Sequence, residues 1–197
     1  MTKEITLKKI IIIGASGSLA AAVIQALKEA GDVSLTLFAR DKNRVKSPGS
    51  AVIIEGDAMK YADVKNAVAD QDIVYINLAG NLEVMTGNIV KAMQETGVKR
   101  VIAISSIGIY DTPLKPVLIP YRKLADIIER SGLQYTILRP DWFTNANEID
   151  YALTKKGQPE KGTAISRKSI AAFVAALARN PAQYINENLG ISKPASL

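Results

Sequence analysis

Residues Lys8 to Ala20 read KKIIIIGASGSLA, and this stretch decides the fold. Its four consecutive isoleucines, Ile10 to Ile13, are β-branched and suit a strand that is buried on both faces, as in the middle of a parallel sheet. Gly14, Gly17 and Ala20 follow at three-residue spacing, and Ala20 opens an apolar run that is typical of a helix. The stretch therefore predicts a strand, a glycine-rich turn and a helix in direct succession.

Each small residue of this turn has a physical role. Gly14 permits the tight turn, Gly17 lets a pyrophosphate approach the backbone, and Ala20 allows the helix to pack close to the strand. The free N–H groups and the dipole of a helix N-terminus favour a diphosphate at the same place. The turn therefore predicts a dinucleotide site, with a purely structural turn as the alternative. The predicted contacts here are Gly14, Ala15, Ser16, Gly17, Ser18 and Leu19.

Composition limits the chemistry that is open to the chain. It has 197 residues, of which 48% are hydrophobic and 22% are charged, as in an ordinary globular protein with a substantial core. It contains no cysteine, which excludes disulfides and thiolate metal sites, and no histidine, the commonest general base. We therefore predict no metal site and expect any proton transfer to use Tyr, Lys, Ser, carboxylates or water.

The net charge of +6 comes from 25 basic and 19 acidic residues. The basic residues are scattered, without a long run or interleaved aromatic residues, so we expect no nucleic-acid partner and interpret the charge as a solvated surface plus a site for an anionic cofactor. No apolar stretch approaches the roughly 20 residues that span a membrane, and residues 2–9 lack the apolar core of a signal peptide. We therefore expect a cytoplasmic protein that does not associate with membranes.

Strands alternate with helices along the rest of the chain. The predicted strands cover residues 33–38, 51–55, 73–78, 101–104 and 134–139, with a last short one near 189–191. The predicted helices cover residues 61–69, 83–96, 121–130 and 170–178, whereas 107–120 read as a loop and 141–162 show little pattern. The alternation predicts a single α/β domain over residues 1–197, a doubly wound parallel sheet with right-handed crossovers, and a small substrate-pocket portion from about residue 140.

The end of the second strand indicates which dinucleotide is preferred. An acidic residue there takes the ribose 2′-OH of NAD, whereas an arginine there can hold the 2′-phosphate of NADP. Arg40 comes first, with Lys42 and Arg44 close behind it, so the sequence favours NADP(H) over NAD(H). Asp41 keeps NAD(H) open, because a shift of the strand end by one residue would turn its carboxylate toward the ribose.

Several distinct motifs lie at the carboxyl ends of the predicted strands and further along the chain. They are GASGSLA at 14–20, GDA at 56–58, NLAGN at 77–81, SSIGIY at 105–110, SGLQYTILRPDWF at 131–143 and AISRKSIAAFVAAL at 164–177. Together they resemble the atypical short-chain dehydrogenase/reductase family, in particular its small NAD(P)H-binding, NmrA-like members with a Rossmann fold. The resemblance covers nearly the whole chain.

The resemblance implies a cofactor that runs along the carboxyl edge of the sheet. It places Arg40 at the adenosine phosphate, Asp57 and Ala58 near the adenine, residues 79–81 at the ribose and diphosphate, and the turn 140–143 near the nicotinamide. The predicted cofactor contacts beyond the glycine turn are Arg40, Asp57, Ala58, Leu78, Ala79, Gly80, Asn81, Ser105 and Pro140.

The catalytic group of the larger family is only partly matched. That family uses a serine after the fifth strand and a tyrosine with a lysine four residues later, because positions i and i+4 of a helix share a face and the ammonium can lower the pKa of the tyrosine. Ser106 matches the serine, and Tyr121, at the start of the following helix, is the candidate proton donor, with a packing or loop-anchoring tyrosine as the alternative. Four residues on is Ala125, and Lys123 lies roughly 200° around the helix from Tyr121. Lys123 could assist only if the helix began after Tyr121.

Two functions follow from this resemblance. The first is an NADP(H)-dependent oxidoreductase that transfers hydride to a small carbonyl or quinone-like acceptor, with Ser106 and Tyr121 polarising the substrate. The alternative is a non-catalytic NADP(H)-binding redox sensor that acts through a protein partner. The short section after Pro140 leaves little material for a large substrate. A homodimer is common in the wider family, and nothing in the sequence fixes it.

Overall fold

The computed structural model describes residues 7–160 and 162–195. Residues 1–6, which include most of the segment where we expected no signal-peptide core, lie outside the described residues. The helices are α1 (Ser18–Ala30), α2 (Tyr61–Val68), α3 (Leu82–Thr96), α4 (Ile119–Glu129) and α5 (Arg167–Arg179). The strands are β1 (Lys8–Ile13), β2 (Val33–Ala39), β3 (Val52–Glu55), β4 (Ile73–Ile76), β5 (Arg100–Ile104), β6 (Gln134–Pro140), β7 (Phe143–Thr144), β8 (Ala152–Lys155), β9 (Ile165–Ser166) and β10 (Glu187–Ser192). Within the described ranges, every helix is too short or too polar to cross a membrane.

Eight strands form one sheet in the order β3-β2-β1-β4-β5-β6-β10-β8. All neighbours pair in parallel except β8, which runs antiparallel to β10 at the edge. The chain reverses its direction of winding between β1 and β4, which are neighbours at the centre. The predicted α/β class with a doubly wound Rossmann sheet is confirmed, and the reversal leaves a crevice at the carboxyl ends of these central strands.

The four isoleucines of β1 serve both faces of the sheet, as their β-branched run predicts. Ile10 and Ile12 belong to the core beneath α1 and α5, whereas Ile11 and Ile13 belong to the core beneath α2, α3 and α4. All four side chains are at most 1% exposed. A charged substitution at any of them would therefore be buried in one of two apolar layers.

The segment from 141 to 162, which shows little pattern in the sequence, contains two strands. β7 forms a small parallel pair with β9, and β8 joins the main sheet. The sequence pattern therefore did not indicate these two strands. Both strands are very short and their partners lie later in the chain, so local periodicity carries little signal for them.

Helix α4 begins at Ile119, two residues before the predicted start. Pro120 lies in the first turn of the helix, where the missing N–H would have no intrahelical partner in any case. A short 3₁₀ turn, Pro116–Leu118, leads directly into the helix. Two of the three prolines of residues 107–120, Pro116 and Pro120, therefore shape the entry to α4 rather than extend the loop.

Candidate functional site: a cleft at the carboxyl edge of the sheet

The two glycines of the first turn differ in what requires them. Gly14 has a φ of +93°, and a Cβ atom there would collide with the backbone oxygen of Asn77. Gly17 has a φ of −73°, which any residue adopts, and a Cβ atom there would lie 3.0 Å from the side-chain amide of Asn77. The backbone conformation therefore explains why position 14 needs a glycine. At position 17 the glycine instead keeps side-chain atoms away from the start of α1.

The first turn of α1 offers free hydrogen-bond donors. The N–H groups of Ser18, Leu19 and Ala20 have no acceptor within residues 7–160 and 162–195, and the first turn holds no acidic residue. The N-cap residue is Gly17, which has no side chain to cap the helix. These donors and the helix dipole leave a site that suits an anion.

The loops that follow β1 to β6 surround one cleft of about 1130 Å³. Of the predicted cofactor contacts, the structure brings the following to this cleft: Gly14, Ser16, Gly17, Ser18, Leu19, Arg40, Asp57, Ala58, Leu78, Ala79, Gly80, Asn81, Ser105 and Pro140. Ala15 is the exception. Its side chain is buried in the core, and its N–H donates to the carbonyl of Phe38 at 3.1 Å, so Ala15 supports the turn from below.

Arg40 is exposed at the end of β2 and lines the cleft. Within the described ranges, no carboxylate lies within salt-bridge distance of its guanidinium. Asp41 is turned away, because its Oδ1 accepts the N–H of Asn43 at 2.9 Å and caps the 3₁₀ turn Lys42–Arg44. Lys42 and Arg44 do not line the cleft, so they give Arg40 no direct support there.

Hydrogen bonds fix the turn that follows β3. The Asp57 carboxylate accepts the N–H of Met59 at 3.0 Å, and the N–H of Asp57 donates to the carboxylate of Asp63 at 3.0 Å. A Cβ atom at Gly56 would collide with the ring of Phe38, so this glycine lets β3 approach β2 closely. These contacts hold the turn in place as one wall of the cleft.

Ser106 and Tyr121, the predicted catalytic residues, both line the cleft. The Ser106 hydroxyl donates to the carbonyl of Ile107 at 3.1 Å, a weak local bond at the surface of the cleft. Lys123 lies inside helix α4, and its ammonium group donates to Glu83 at 3.2 Å. The helix begins before Tyr121, so the one condition under which Lys123 could assist the phenol is not met.

Three polar residues of the cleft were missed by the sequence analysis. Asn77 was assigned to the fourth strand, which ends one residue earlier, and Asp111 and Lys115 lie in a segment that was read only as a loop. The position of Asn77 directly after a buried strand is the signal that could have identified it. Nothing local marks Asp111 or Lys115.

Apolar side chains are unusually exposed at the end of the cleft beyond Ser106. Trp142 is 83% exposed and Val117 is 73% exposed, and both line the cleft. The backbone of Trp142 is nevertheless fixed, because its carbonyl accepts the N–H of Ile165 at 2.8 Å. A hydrogen-bonded backbone therefore presents an exposed indole ring at this end of the cleft.

A polar network supports the loop after β5 from the side away from the cleft. Tyr110 accepts a hydrogen bond from the side-chain amide of Asn188 at 2.8 Å, and Lys156 donates to both oxygens of Glu129 at 2.7–2.8 Å. Burial and the nearby carboxylate of Glu129 raise the pKa of Tyr110 above 10.0. Arg139, only 1% exposed, pairs with Glu160 at 2.7 Å and so points away from the cleft that its neighbour Pro140 lines.

Comparison with known proteins gives a consistent result. The sequence model of a family described as NAD(P)H-binding matches residues 14–181. The structure is similar to that of a Rossmann-fold NAD(P)-binding family protein from Shigella flexneri, with 41% identity over 96% of this chain and 95% of that chain and a TM-score of 0.89.

Two further structures share the fold at lower identity. A wide-type short-chain dehydrogenase/reductase from Veillonella parvula, solved in complex with NADP, has 24% identity over 95% of each chain and a TM-score of 0.87. An anaerobillin reductase from Escherichia coli O157:H7 has 17% identity over 96% of this chain and 99% of that chain and a TM-score of 0.84.

Proposed function

The chain belongs to the NAD(P)H-binding family, and from this membership we propose that it is an NADP(H)-dependent oxidoreductase of the atypical short-chain, NmrA-like type. Its reaction is hydride transfer to a small carbonyl or quinone-like acceptor. One observation carries the proposal: a single cleft joins the free donors at the start of α1 to Ser106 and Tyr121.

The residues of the cleft fit a dinucleotide. The free N–H groups of Ser18 and Leu19 would hold the diphosphate, and the absence of a side chain at Gly17 gives the phosphate oxygens room to approach the backbone. The turn at Asp57 and Ala58 would hold the adenine. These contacts use the backbone, so they do not depend on the missing lysine at position 125.

Arg40 supports NADP(H) rather than NAD(H). Its guanidinium is exposed in the cleft without a carboxylate partner in the described part of the chain, and Asp41 is occupied in capping the next turn. A 2′-phosphate would provide the anion that Arg40 lacks. The Veillonella protein of the same fold was solved with NADP, which agrees with this preference.

The protein's own groups would act on the acceptor oxygen. When bound, the nicotinamide supplies the hydride. The Ser106 hydroxyl exchanges its local bond to the Ile107 carbonyl for a hydrogen bond to the acceptor oxygen, and the Tyr121 phenol gives its proton to that oxygen. Because Lys123 is paired with Glu83, Tyr121 would act without help from its ammonium group.

The exposed Trp142 and Val117 favour a flat, apolar acceptor. An aromatic ring of the substrate can stack on the free indole, and Val117 adds apolar surface at the same end of the cleft. A quinone-like acceptor has both the flat ring and the oxygen that Ser106 would polarise. The anaerobillin reductase with the same fold supports reduction as the reaction class.

One observation favours a second function, a non-catalytic NADP(H) sensor that acts through a protein partner. The ion pair of Lys123 with Glu83 engages the ammonium group that could have assisted the Tyr121 phenol. Cofactor binding does not need this pair, so the cleft could retain binding without catalysis. In either role we place the protein in the cytoplasm, in keeping with its lack of cysteine.

The test is a titration of the purified protein with NADPH, NADP+ and NADH, followed by NADPH oxidation against a panel of quinones and carbonyls. Tight NADPH binding with acceptor-dependent oxidation is the expected result. Tight binding without turnover on any acceptor would favour the sensor. Failure to bind any of the three dinucleotides would overturn both functions.

A further inference from the structure

We propose that Arg167, at the start of α5, is a second cation of the dinucleotide site and binds the diphosphate side of the cofactor together with Ser18. This inference rests on the proposed function, since it assigns a further residue to the same site. It differs from the role of Arg40, because the diphosphate is common to NADPH and NADH whereas the 2′-phosphate belongs to NADPH alone.

Arg167 contacts Ser18 in the first turn of α1, although these two residues are 149 positions apart in the sequence. Its Nε donates to the Ser18 hydroxyl at 3.2 Å, and its Nη1 donates to the Thr144 carbonyl at 3.3 Å and to the Asn145 side chain at 2.9 Å. The guanidinium also lies 5.2 Å from the centre of the Phe143 ring. One side chain thus connects the predicted phosphate turn to residues 143–145, at the end of the turn that is predicted to lie near the nicotinamide.

The charge of Arg167 has no acidic partner within the described ranges. Its acceptors there are a hydroxyl, a carbonyl and a side-chain amide, none of which neutralises a guanidinium. The neighbouring first turn of α1 also lacks an acidic residue, and its N–H groups are free. A cation beside uncompensated helix donors strengthens the local positive potential, and a diphosphate is an anion that suits it.

The packing of two helices and the cap of α5 determine the position of Arg167. Helices α1 and α5 pack against each other on one face of the sheet. Ser166 caps α5, since its hydroxyl accepts the N–H of Ser169 at 2.9 Å. The first residue of α5 is therefore held next to the first residue of α1, Ser18, which lines the cleft.

Lys168 provides a matched control. It is the next residue of α5 and carries the same charge, but it is exposed and its ammonium group donates to the Asn147 side chain at 2.7 Å. Neither Lys168 nor Arg167 lines the cleft itself: both line a smaller pocket that shares Ser18 with the cleft, and Arg167 contacts Ser18 whereas Lys168 donates to Asn147. If general positive charge on this surface attracted the cofactor, Lys168 and Arg167 would be equivalent. If the contact with Ser18 matters, they would differ.

The experiment measures dissociation constants of the full chain for NADPH, NADH and adenosine 2′-monophosphate, which has the 2′-phosphate but no diphosphate. Calorimetry is used for the wild type and for Arg167→Met, Arg167→Lys, Ser18→Ala and Lys168→Met. Arg167→Met is expected to raise the dissociation constants of NADPH and NADH by the same factor, about tenfold. This is the effect expected from the loss of a hydrogen bond to a charged group. Adenosine 2′-monophosphate should bind to it as to the wild type.

The remaining variants separate a direct role from a structural one. Arg167→Lys should keep part of the affinity, and Lys168→Met should bind all three ligands as the wild type does. The effects of Arg167→Met and Ser18→Ala should not add in the double variant, since the two side chains act as a unit. Thermal unfolding of each variant checks that it folds.

Two outcomes overturn the inference. Wild-type affinity of Arg167→Met for both dinucleotides would remove Arg167 from the site and leave the proposed function intact. Equal weakening of all three ligands would show that Arg167 only supports the fold of the cleft. The failure of the proposed function is a different result, in which the wild type itself binds neither NADPH nor NADH.

Discussion

The hydroxyl of Ser105 donates a hydrogen bond to the backbone carbonyl of Tyr121 at 3.0 Å. This bond joins the end of β5 to the first turn of α4 and thereby sets the position of Tyr121 relative to Ser106. The Ser105 side chain is only 3% exposed, so its hydroxyl is committed inside the wall of the cleft. Two adjacent serines therefore have different roles: Ser105 positions the helix, and Ser106 faces the cleft.

The two serines should respond differently to the same substitution. We expect Ser106→Ala to lower turnover of the acceptor by about a hundredfold, the usual effect of losing one donor to a developing oxyanion, without changing the affinity for NADPH. We expect Ser105→Ala to lower the free energy of unfolding by about 1 kcal/mol, the usual worth of one hydrogen bond. Steady-state kinetics, calorimetry and urea unfolding check these values. Loss of NADPH affinity in Ser106→Ala would contradict the assignment.

The network around Tyr110 should make stability fall in alkali. Burial and the carboxylate of Glu129 raise the pKa of Tyr110, so above about pH 10 the unfolded chain releases this proton while the folded chain still holds it. This contribution to stability is complete below pH 10 and is lost as the pH rises toward the folded pKa. Lys156 acts in the same direction: burial lowers its pKa, but hydrogen bonds to Glu129 and Tyr110 outweigh burial and raise it.

Tyr110→Phe is the variant that tests this pH dependence. Urea unfolding at about pH 8 and about pH 10.5 should show a smaller alkaline loss of stability in the variant than in the wild type. Part of the loss should remain, because Lys156 keeps its contacts with Glu129. Identical pH profiles would show that Tyr110 does not titrate differently in the folded chain.

The order of strands and helices could be predicted from the sequence because most elements carry their own local signal. The isoleucines of β1 and the apolar periodicity of α5 mark a buried strand and a buried helix without any knowledge of their neighbours. The residues after each strand could also be predicted to converge, since the carboxyl ends of parallel strands meet at one edge.

The remaining features depend on contacts between distant residues. The antiparallel strand β8 exists because β10 offers it an edge, and nothing in residues 152–155 alone indicates this. The pairing of Lys123 with Glu83 joins two helices, and the contact of Arg167 with Ser18 joins residues that are 149 positions apart. Such contacts depend on packing geometry, which a local pattern does not contain.

Gly14 and Gly17 should separate folding from binding. Gly14→Val should lower the free energy of unfolding by about 3 kcal/mol, because the side chain would meet the Asn77 backbone and the left-handed φ would be strained. Gly17→Val should cost only about 1 kcal/mol, because its φ suits any residue and Asn77 can move its amide, but it should abolish binding of NADPH and NADH. Urea unfolding and calorimetry of both variants check this. If the Gly17→Val variant folds and still binds NADPH or NADH, the diphosphate does not bind at this turn.

Arg40 should determine the choice between the two dinucleotides. Its guanidinium has no carboxylate partner in the described ranges, so a 2′-phosphate would gain a charge-assisted hydrogen bond without displacing an existing ion pair. Arg40→Met should therefore lower the affinity for NADPH by about ten- to a hundredfold and leave the affinity for NADH nearly unchanged. Arg44→Met is the matched control, since Arg44 lies four residues on and outside the cleft, and it should bind both dinucleotides normally. Equal weakening of NADPH and NADH by Arg40→Met would exclude the 2′-phosphate as its partner, because only NADPH carries that group.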